Sequence, residues 1–324
     1  MNSRFAGAIL ECIDRAADGL ASRQAPDGFW RDYWLKPGAS EDWVTACCIV
    51  ALARGPASPM HVAAARAAGR ALHSAGRPGG WGYNRDTVAD ADSTAWALRS
   101  LAALGYVGRG TAEALLKTYL DANARAMTFL PPEQAGNWGL PHADVTPLVG
   151  IALLAMEGST PLSSRVRAAV LADQAADGAW RSFWWAGDAY ATARSLEFLR
   201  LSGGIPRGQS RAALGWLRNH FDADHCLDAA HLLTICALLG QPADHCLDLL
   251  FEGQCADGLW PPSPALLTPP QQGDFSTAQE SARNYDSQRI LGSAMVLMAL
   301  KLWEQAACFL HPHARGPAWA GYSR

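Results

Sequence analysis

The sequence predicts an all-α protein of about six helical hairpins, and three observations carry that reading. Alanine is very frequent, at 61 of 324 residues, while valine and isoleucine together number 17. Alanine is the strongest helix former and β-branched residues favour strands. A loop pattern, Q-x-x-D-G-x-W, recurs at Gln24–Trp30, Gln174–Trp180 and Gln254–Trp260, with looser copies at Gly79-Gly80-Trp81-Gly82 and Gly136-Asn137-Trp138-Gly139. After each loop comes a short acidic segment, a small hydroxyl residue and an apolar stretch.

The acidic signals stand at Asp42-Trp43-Val44-Thr45, Asp90-Ala91-Asp92-Ser93-Thr94, Asp144-Val145-Thr146, Asp188-Ala189-Tyr190-Ala191-Thr192 and Tyr285-Asp286-Ser287. A degenerate sixth lies at 224–228, where no Trp loop introduces it. The stretches that follow end near Gly55, Gly105, Gly158 and Gly203. Acidic or hydroxyl residues at the start and glycine at the end are ordinary helix caps. More polar helices alternate with these, at 59–75, 109–124, 162–174, 207–220 and 242–253. The repeat averages about 48 residues. Stacked hairpins form an open solenoid or close into a ring. In a ring the apolar helices lie inside and parallel, and their acidic N-termini share one mouth.

Trp30, Trp81, Trp138, Trp180 and Trp260 belong to the repeat loops and are expected to pack between hairpins. Trp43, Trp96, Trp184 and Trp185 fall off that register and are cavity candidates. Residues 1–324 read as one domain, with a Pro- and Gln-rich rim or lid loop within 261–284 and a C-terminal tail at 311–324. Arg283-Asn284-Tyr285-Asp286, leading into the last inner helix, invites a substrate-side reading, and Arg85, Arg181 and Arg194 join Arg283 as candidates for an anionic head group.

Composition narrows the function. Charged residues make up 18% and hydrophobic ones 49%, which excludes a disordered chain. A net charge of −3 without a basic run argues against nucleic acid as a partner. No apolar run reaches the roughly 18 residues of a membrane span. The eight cysteines are scattered, mostly in apolar stretches, which suits reduced core thiols and a cytoplasmic location.

The repeat loops together with Asp90-Ala91-Asp92-Ser93-Thr94-Ala95 resemble the squalene–hopene cyclase and class II terpene cyclase superfamily. The resemblance spans nearly the whole chain and implies an (α/α)6 barrel, or toroid. In that family a D-x-D-D motif carries the general acid, and the matching positions imply Asp92 as acid and Asp90 as the first Asp. Ser93 stands where the fourth position is usually Asp. The activity implied is protonation of an alkene or other unsaturated substrate, followed by cyclisation or isomerisation, in secondary metabolism.

The family usually pairs two barrels. A single one leaves the site to be closed by its own mouth or by a partner barrel, in a homodimer or a complex. Hopene-type cyclases also dock on membranes, but no such patch is identified in this sequence. The expected ligand is a small apolar or polyene molecule, with no cofactor. Magnesium would enter only with a diphosphate substrate.

An alkene is a weak base, so its acid must stay protonated in a dry pocket. Burial and a second carboxylate both raise an Asp pKa, while a helix N-terminus favours the anion. Aromatic faces stabilise the resulting cation. Trp43, Tyr83, Trp96, Trp184, Trp185 and Tyr190 are the aromatic candidates, and Asp188, Arg283, Tyr285 and Asp286 the polar ones.

Protein prenyltransferase β subunits are also similar in repeat, but Val44 and Ala179 occupy their zinc-ligand positions and cannot bind the metal. The duplicated Asp224-His225-Cys226-Leu227-Asp228 and Asp244-His245-Cys246-Leu247-Asp248 segments read as helix caps at opposite ends of a hairpin. No metal site is assigned. Two other functions fit the same barrel: a different acid–base reaction on a non-terpenoid molecule, or a non-catalytic partner subunit.

Overall fold

The computed structural model describes residues 6–273 and 283–310. Its helices are α1 (Ala6–Ser22), α2 (Asp42–Ala53), α3 (Pro59–Ser74), α4 (Ala91–Ala103), α5 (Thr111–Leu116), α6 (Pro132–Ala135), α7 (Thr146–Glu157), α8 (Pro161–Ala172), α9 (Ala189–Leu201), α10 (Arg207–Asn219), α11 (Cys226–Leu239), α12 (Asp244–Gly253) and α13 (Ile290–Leu310). The described strands form two short antiparallel hairpins, β1 (Asp32–Leu35) with β2 (Gly38–Ser40) and β3 (Leu266–Leu267) with β4 (Arg283–Asn284). The tail expected at 311–324 lies outside the described residues, as does 274–282 of the rim loop.

Helices α2, α4, α7, α9, α11 and α13 pack each on the next, and α13 packs back on α2. Around them lie α1 against α13 and α3, α3 against α2 and α4, α5 against α4 and α7, α8 against α7 and α9, and α10 and α12 against α11. The ring therefore closes as an (α/α)6 barrel. Patterning explains the layers. Helix α2 buries every residue from Asp42 to Leu52, whereas α10 buries only Ala213, Trp216 and Leu217. A helix apolar all round belongs inside, and a striped one belongs at the surface.

The Q-x-x-D-G-x-W loop is a hydrogen-bonded joint between hairpins. Gln174 Nε2 donates to Gly178 O at 2.8 Å and to Gln209 O of the next outer helix at 3.1 Å. Trp180 Nε1 donates back to Val170 O at 2.7 Å, and its backbone N–H donates to Thr192 Oγ1 at 3.1 Å. The small hydroxyl residue thus receives the Trp backbone. Trp30 and Trp260 repeat the arrangement with Thr45 and Ser293, and Trp81 makes the same two bonds with Leu72 O and Thr94. Gly178 sits at φ +101°, and a Cβ there would collide with Ala212 O. Only glycine combines that conformation with so close an approach.

The seam uses the same joint. Gln254 Nε2 reaches Cys12 O on α1 at 3.0 Å. On the inner layer Lys301 Nζ donates to Ala51 O at 2.9 Å, and Asp32 accepts the N–H groups of Ile290 and Leu291 at 2.7 and 3.0 Å.

Three expectations need correction. The 109–124 helix shrinks to α5 and a 3₁₀ turn over Lys117–Tyr119. Trp138 is not a joint tryptophan: Ala126 N–H takes the Thr146 hydroxyl, and Trp138 sits half-buried in an aromatic cluster at the mouth. The last inner helix starts at Ile290, so its joint hydroxyl is Ser293 instead of Ser287. Gly136-Asn137-Trp138-Gly139 and Ser287 match the repeat locally, but spacing to the partner group decides the joint.

Candidate active site

Residues one helical face apart line the barrel lumen. Counted from the start of α2, α4, α9 and α11, the second residues are Trp43, Asp92, Tyr190 and Leu227, and the sixth are Cys47, Trp96, Arg194 and His231. The ninth residues include Arg99 on α4 and Glu197 on α9. These two helices are separated in the ring by α7, yet Arg99 Nη2 reaches Glu197 Oε1 at 2.6 Å, so both side chains cross the lumen. Asp92 acts electrostatically on Cys47 and on Tyr190, on two other walls.

The carboxylates of the mouth are mostly engaged in structure. Asp42 accepts Arg77 Nη1 at 3.0 Å and Gly82 N at 3.2 Å. Asp144 accepts the N–H groups of Phe183 and Trp184, both at 2.8 Å. Asp188 takes Arg181 at 2.6 Å and Ser182 N at 3.0 Å. Asp286 takes the N–H groups of Ser263 and Gly292. Asp90 caps α4, accepting Ser93 N at 2.7 Å and Ser93 Oγ at 2.8 Å. Ser93 therefore serves as a donor to the first Asp of the motif. Asp42 and Asp144 also keep a buried Oδ1 free, but each is bonded through Oδ2; Asp92 differs in having no hydrogen-bond partner among the described residues, and its Oδ1 is buried. The residue retains some accessible surface although its neighbours Cys47 and Tyr190 are buried, so that surface faces the lumen.

Its electrostatics follow. Burial pushes the Asp92 carboxyl well above the ordinary carboxylate range, and Asp90 and Asp144 push it further. Burial raises Asp90 to about 7 against the Ser93 hydrogen bonds, and raises Asp144 to about 6 against the N–H groups of Trp184 and Phe183. The helix N-terminus, which would favour the anion, spends its first donors on Asp90, so desolvation wins at Asp92.

The predicted aromatics divide into two groups. Trp43 stacks on Tyr33 at 5.9 Å and meets the edge of Trp185 at 6.2 Å, while Trp185 stacks on Tyr190 at 4.2 Å. These rings reach the neighbourhood of Asp92 through Tyr190, and Trp96, on the same helix as Asp92, is fully buried. Trp184 belongs instead to the mouth cluster with Phe129, Trp138 and Phe183. Tyr83 braces the β1–β2 hairpin, donating its hydroxyl to Tyr33 O at 2.6 Å. Arg283 and Tyr285 are exposed at the rim, away from Asp92, and Asp286 is buried as a loop anchor. Arg85 and Arg181 are likewise engaged, with Glu41 and with Asp177 and Asp188.

Residues 261–273 form a strap over the mouth. Leu267 N donates to Trp184 O at 2.8 Å, Trp138 Nε1 to Pro269 O at 2.8 Å, and Asn137 N to Gln271 O at 2.7 Å. The strap leads toward α13 and touches the loop before α7, on the opposite side of the ring.

Sequence reading missed Tyr33, Arg99, Glu197 and His231. Glu197 is held between Arg99 and Arg194, each at 2.6 Å. Burial alone would raise its pKa, but Arg194, Arg99 and Arg54 outweigh this and hold it at about 2. The signal was available: each lies four or seven residues after a second-position residue. Tyr33 carried no such signal, since it reaches Trp43 from a hairpin. Among the described residues no group of three His, Cys, Asp or Glu side chains could hold a metal ion, and no helix is long and apolar enough to cross a membrane.

No protein-family model and no curated protein matches the chain. Solved structures do. The type II terpene cyclase MstE from Scytonema superposes with a TM-score of 0.80 at 22% identity, covering 93% of this chain and 99% of that one. This chain has the type II terpene cyclase fold. One MstE structure, matched at TM-score 0.80 and 23% identity over 93% of this chain and 98% of that one, holds geranylgeranyl dihydroxybenzoate as substrate. A protein from Actinoplanes matches at TM-score 0.74 and 25% identity, over 92% of this chain and 99% of that one. The ent-copalyl diphosphate synthase from Streptomyces platensis matches at TM-score 0.55 and 17% identity, over 82% of this chain and 50% of that one.

Proposed function

We propose that the chain is a type II terpene cyclase in which Asp92 is the general acid. The observation that carries this is the contrast at the mouth: the other carboxylates described there hold loops or helix ends through at least one oxygen, while Asp92 has no hydrogen-bond partner among the described residues and its Oδ1 is buried. The substrate class is a polyprenyl chain with a polar head, a reading supported by the aromatic wall and by the ligand of the similar MstE structure. The chain folds against Trp43, Trp96, Trp185 and Tyr190. The proton on Asp92 passes to an alkene carbon, the π electrons form the new C–H bond, and the adjacent carbon becomes cationic. Neighbouring alkenes close onto it, and the indole and phenol faces stabilise the moving charge. Asp90, held by Ser93, keeps the second carboxyl close without competing for substrate. The role assigned to 261–273 is to cover the mouth and keep water out, supported by its bonds to Trp184, Trp138 and Asn137.

The test is incubation of the purified protein with geranylgeranyl dihydroxybenzoate, with and without EDTA, and analysis for cyclised products. Product from wild type, lost in Asp92→Asn at unchanged melting temperature, supports the assignment. Equal turnover by wild type and variant overturns it. Loss of activity with EDTA would assign a divalent cation to the head group.

A further inference from the structure

We propose that His231 is the base that ends the reaction, taking the proton that the last carbocation sheds. The inference rests on the cyclase reading and concerns the opposite wall of the same lumen. In the ring order α11 stands across from α4, so His231 faces the wall that carries Asp92 and Trp96. As the sixth residue of its helix it lies about one turn, roughly 6 Å, deeper than the level of Asp92. A substrate protonated at the upper level and folded downward brings its later cationic centres toward this depth.

The imidazole is placed among the aromatics and left free. It packs edge-on against Tyr190 at 5.2 Å and Trp185 at 6.2 Å, so it continues the wall that contains the cation. Its Nε2 is buried and has no hydrogen-bond partner. Glu197 is held by two arginines and Asp90 by Ser93, and Asp144 keeps only its Oδ1 free, with Oδ2 on two backbone N–H groups. Burial, helped by Arg194 and His225, keeps the ring neutral. Neutrality suits the task. A carbocation is acidic enough to surrender a proton to any weak base, and a protonated imidazole would only repel it.

The step balances without a further reactant. A C–H bond next to the final cationic centre breaks, its electron pair becomes the product alkene, and the proton goes to Nε2. Asp92 has lost one proton and His231 has gained one, and exchange with water after product release restores both.

Two variants test this on geranylgeranyl dihydroxybenzoate, read by consumption rate and by product isomers. His231→Phe keeps a planar ring against Trp185 and Tyr190, and His231→Gln keeps a polar side chain of lower basicity. Substrate should still be consumed, because the acid is untouched. The wild-type alkene isomer should fall at least tenfold relative to other alkene isomers or water adducts. Wild-type product ratios in both folded variants overturn the proposal, as does total loss of consumption, which would place His231 in the first step. If wild type converts no polyprenyl substrate, the cyclase reading fails and takes this proposal with it. That failure is recognised before any variant is made.

Discussion

The mouths of α4 and α9 are built on one frame and do different things. Asp90-Ala91-Asp92-Ser93-Thr94 corresponds to Asp188-Ala189-Tyr190-Ala191-Thr192. Thr94 and Thr192 each receive a tryptophan backbone N–H, at 3.0 and 3.1 Å, so the joint is the same. The lumen positions differ throughout: Asp92 against Tyr190, Trp96 against Arg194, Arg99 against Glu197. The frame residues hold hairpins together, and the residues two, six and nine positions after the first Asp decide what the lumen contains. An acidic residue at a helix start is thus no sign of catalysis by itself. Asp188 is tied to Arg181 in a partly exposed pair, while Asp92 makes no ion pair among the described residues and its Oδ1 is buried.

The sharpest way to break this comparison is to neutralise both sides. Asp92→Asn should lower turnover by about 10²–10⁴-fold, the usual worth of a positioned general acid. Asp188→Asn should leave turnover within a few-fold and cost at most about 1 kcal/mol, as exposed pairs do. Equal activity losses would show that the two mouths are not specialised.

A pH profile tests the same residue. The reactive form of Asp92 is protonated, and its raised pKa keeps that form present well above the ordinary carboxylate range. Turnover should stay level through the ordinary carboxylate range and fall as pH rises through the raised value. An acid near the ordinary value of about 4 would lose about tenfold per unit from there upward.

Next in size is the ion pair that links the two helices. Glu197→Gln leaves Arg99 and Arg194 buried without a counter-charge, and should destabilise the fold by about 3–5 kcal/mol in denaturant titration. A smaller loss would mean that the arginines find other partners. Thr192→Val and Thr94→Val should each cost about 1–3 kcal/mol, because a buried tryptophan N–H loses its acceptor. Equal costs at the two sites would confirm a shared frame, and unequal ones would break it. The smallest effect expected is Ser93→Ala, about 1 kcal/mol, with turnover changed only a few-fold.

The frame was legible because its parts are chemically demanding. A loop that needs glycine, a side-chain amide and an indole N–H at fixed spacing repeats itself visibly, as at Gln24–Trp30 and Gln174–Trp180. Asp92 stood out because the Asp is doubled, and Trp43, Trp96, Trp185 and Tyr190 because they depart from the loop register. Illegible were contacts made between repeats. Nothing local tells that Ala126 replaces a tryptophan at Thr146, that Tyr83 spends its hydroxyl on Tyr33 O, or that Glu197 lies between two arginines. Ring closure was equally hidden, since an open stack carries the same repeats.

Closure changes how the chain must come together. The bond from Gln254 to Cys12 joins residues 242 positions apart, and the one from Lys301 to Ala51 spans 250. An open array can add units one at a time, each stabilised by the last. Here the wall between α13 and α2 stays open, with the apolar flanks of both helices uncovered, until α13 has been synthesised. Closing so long a loop is entropically slow, and apolar surface left waiting invites aggregation. The seam should therefore be the last interface to form, and the point where a ribosome-bound chain most needs a chaperone.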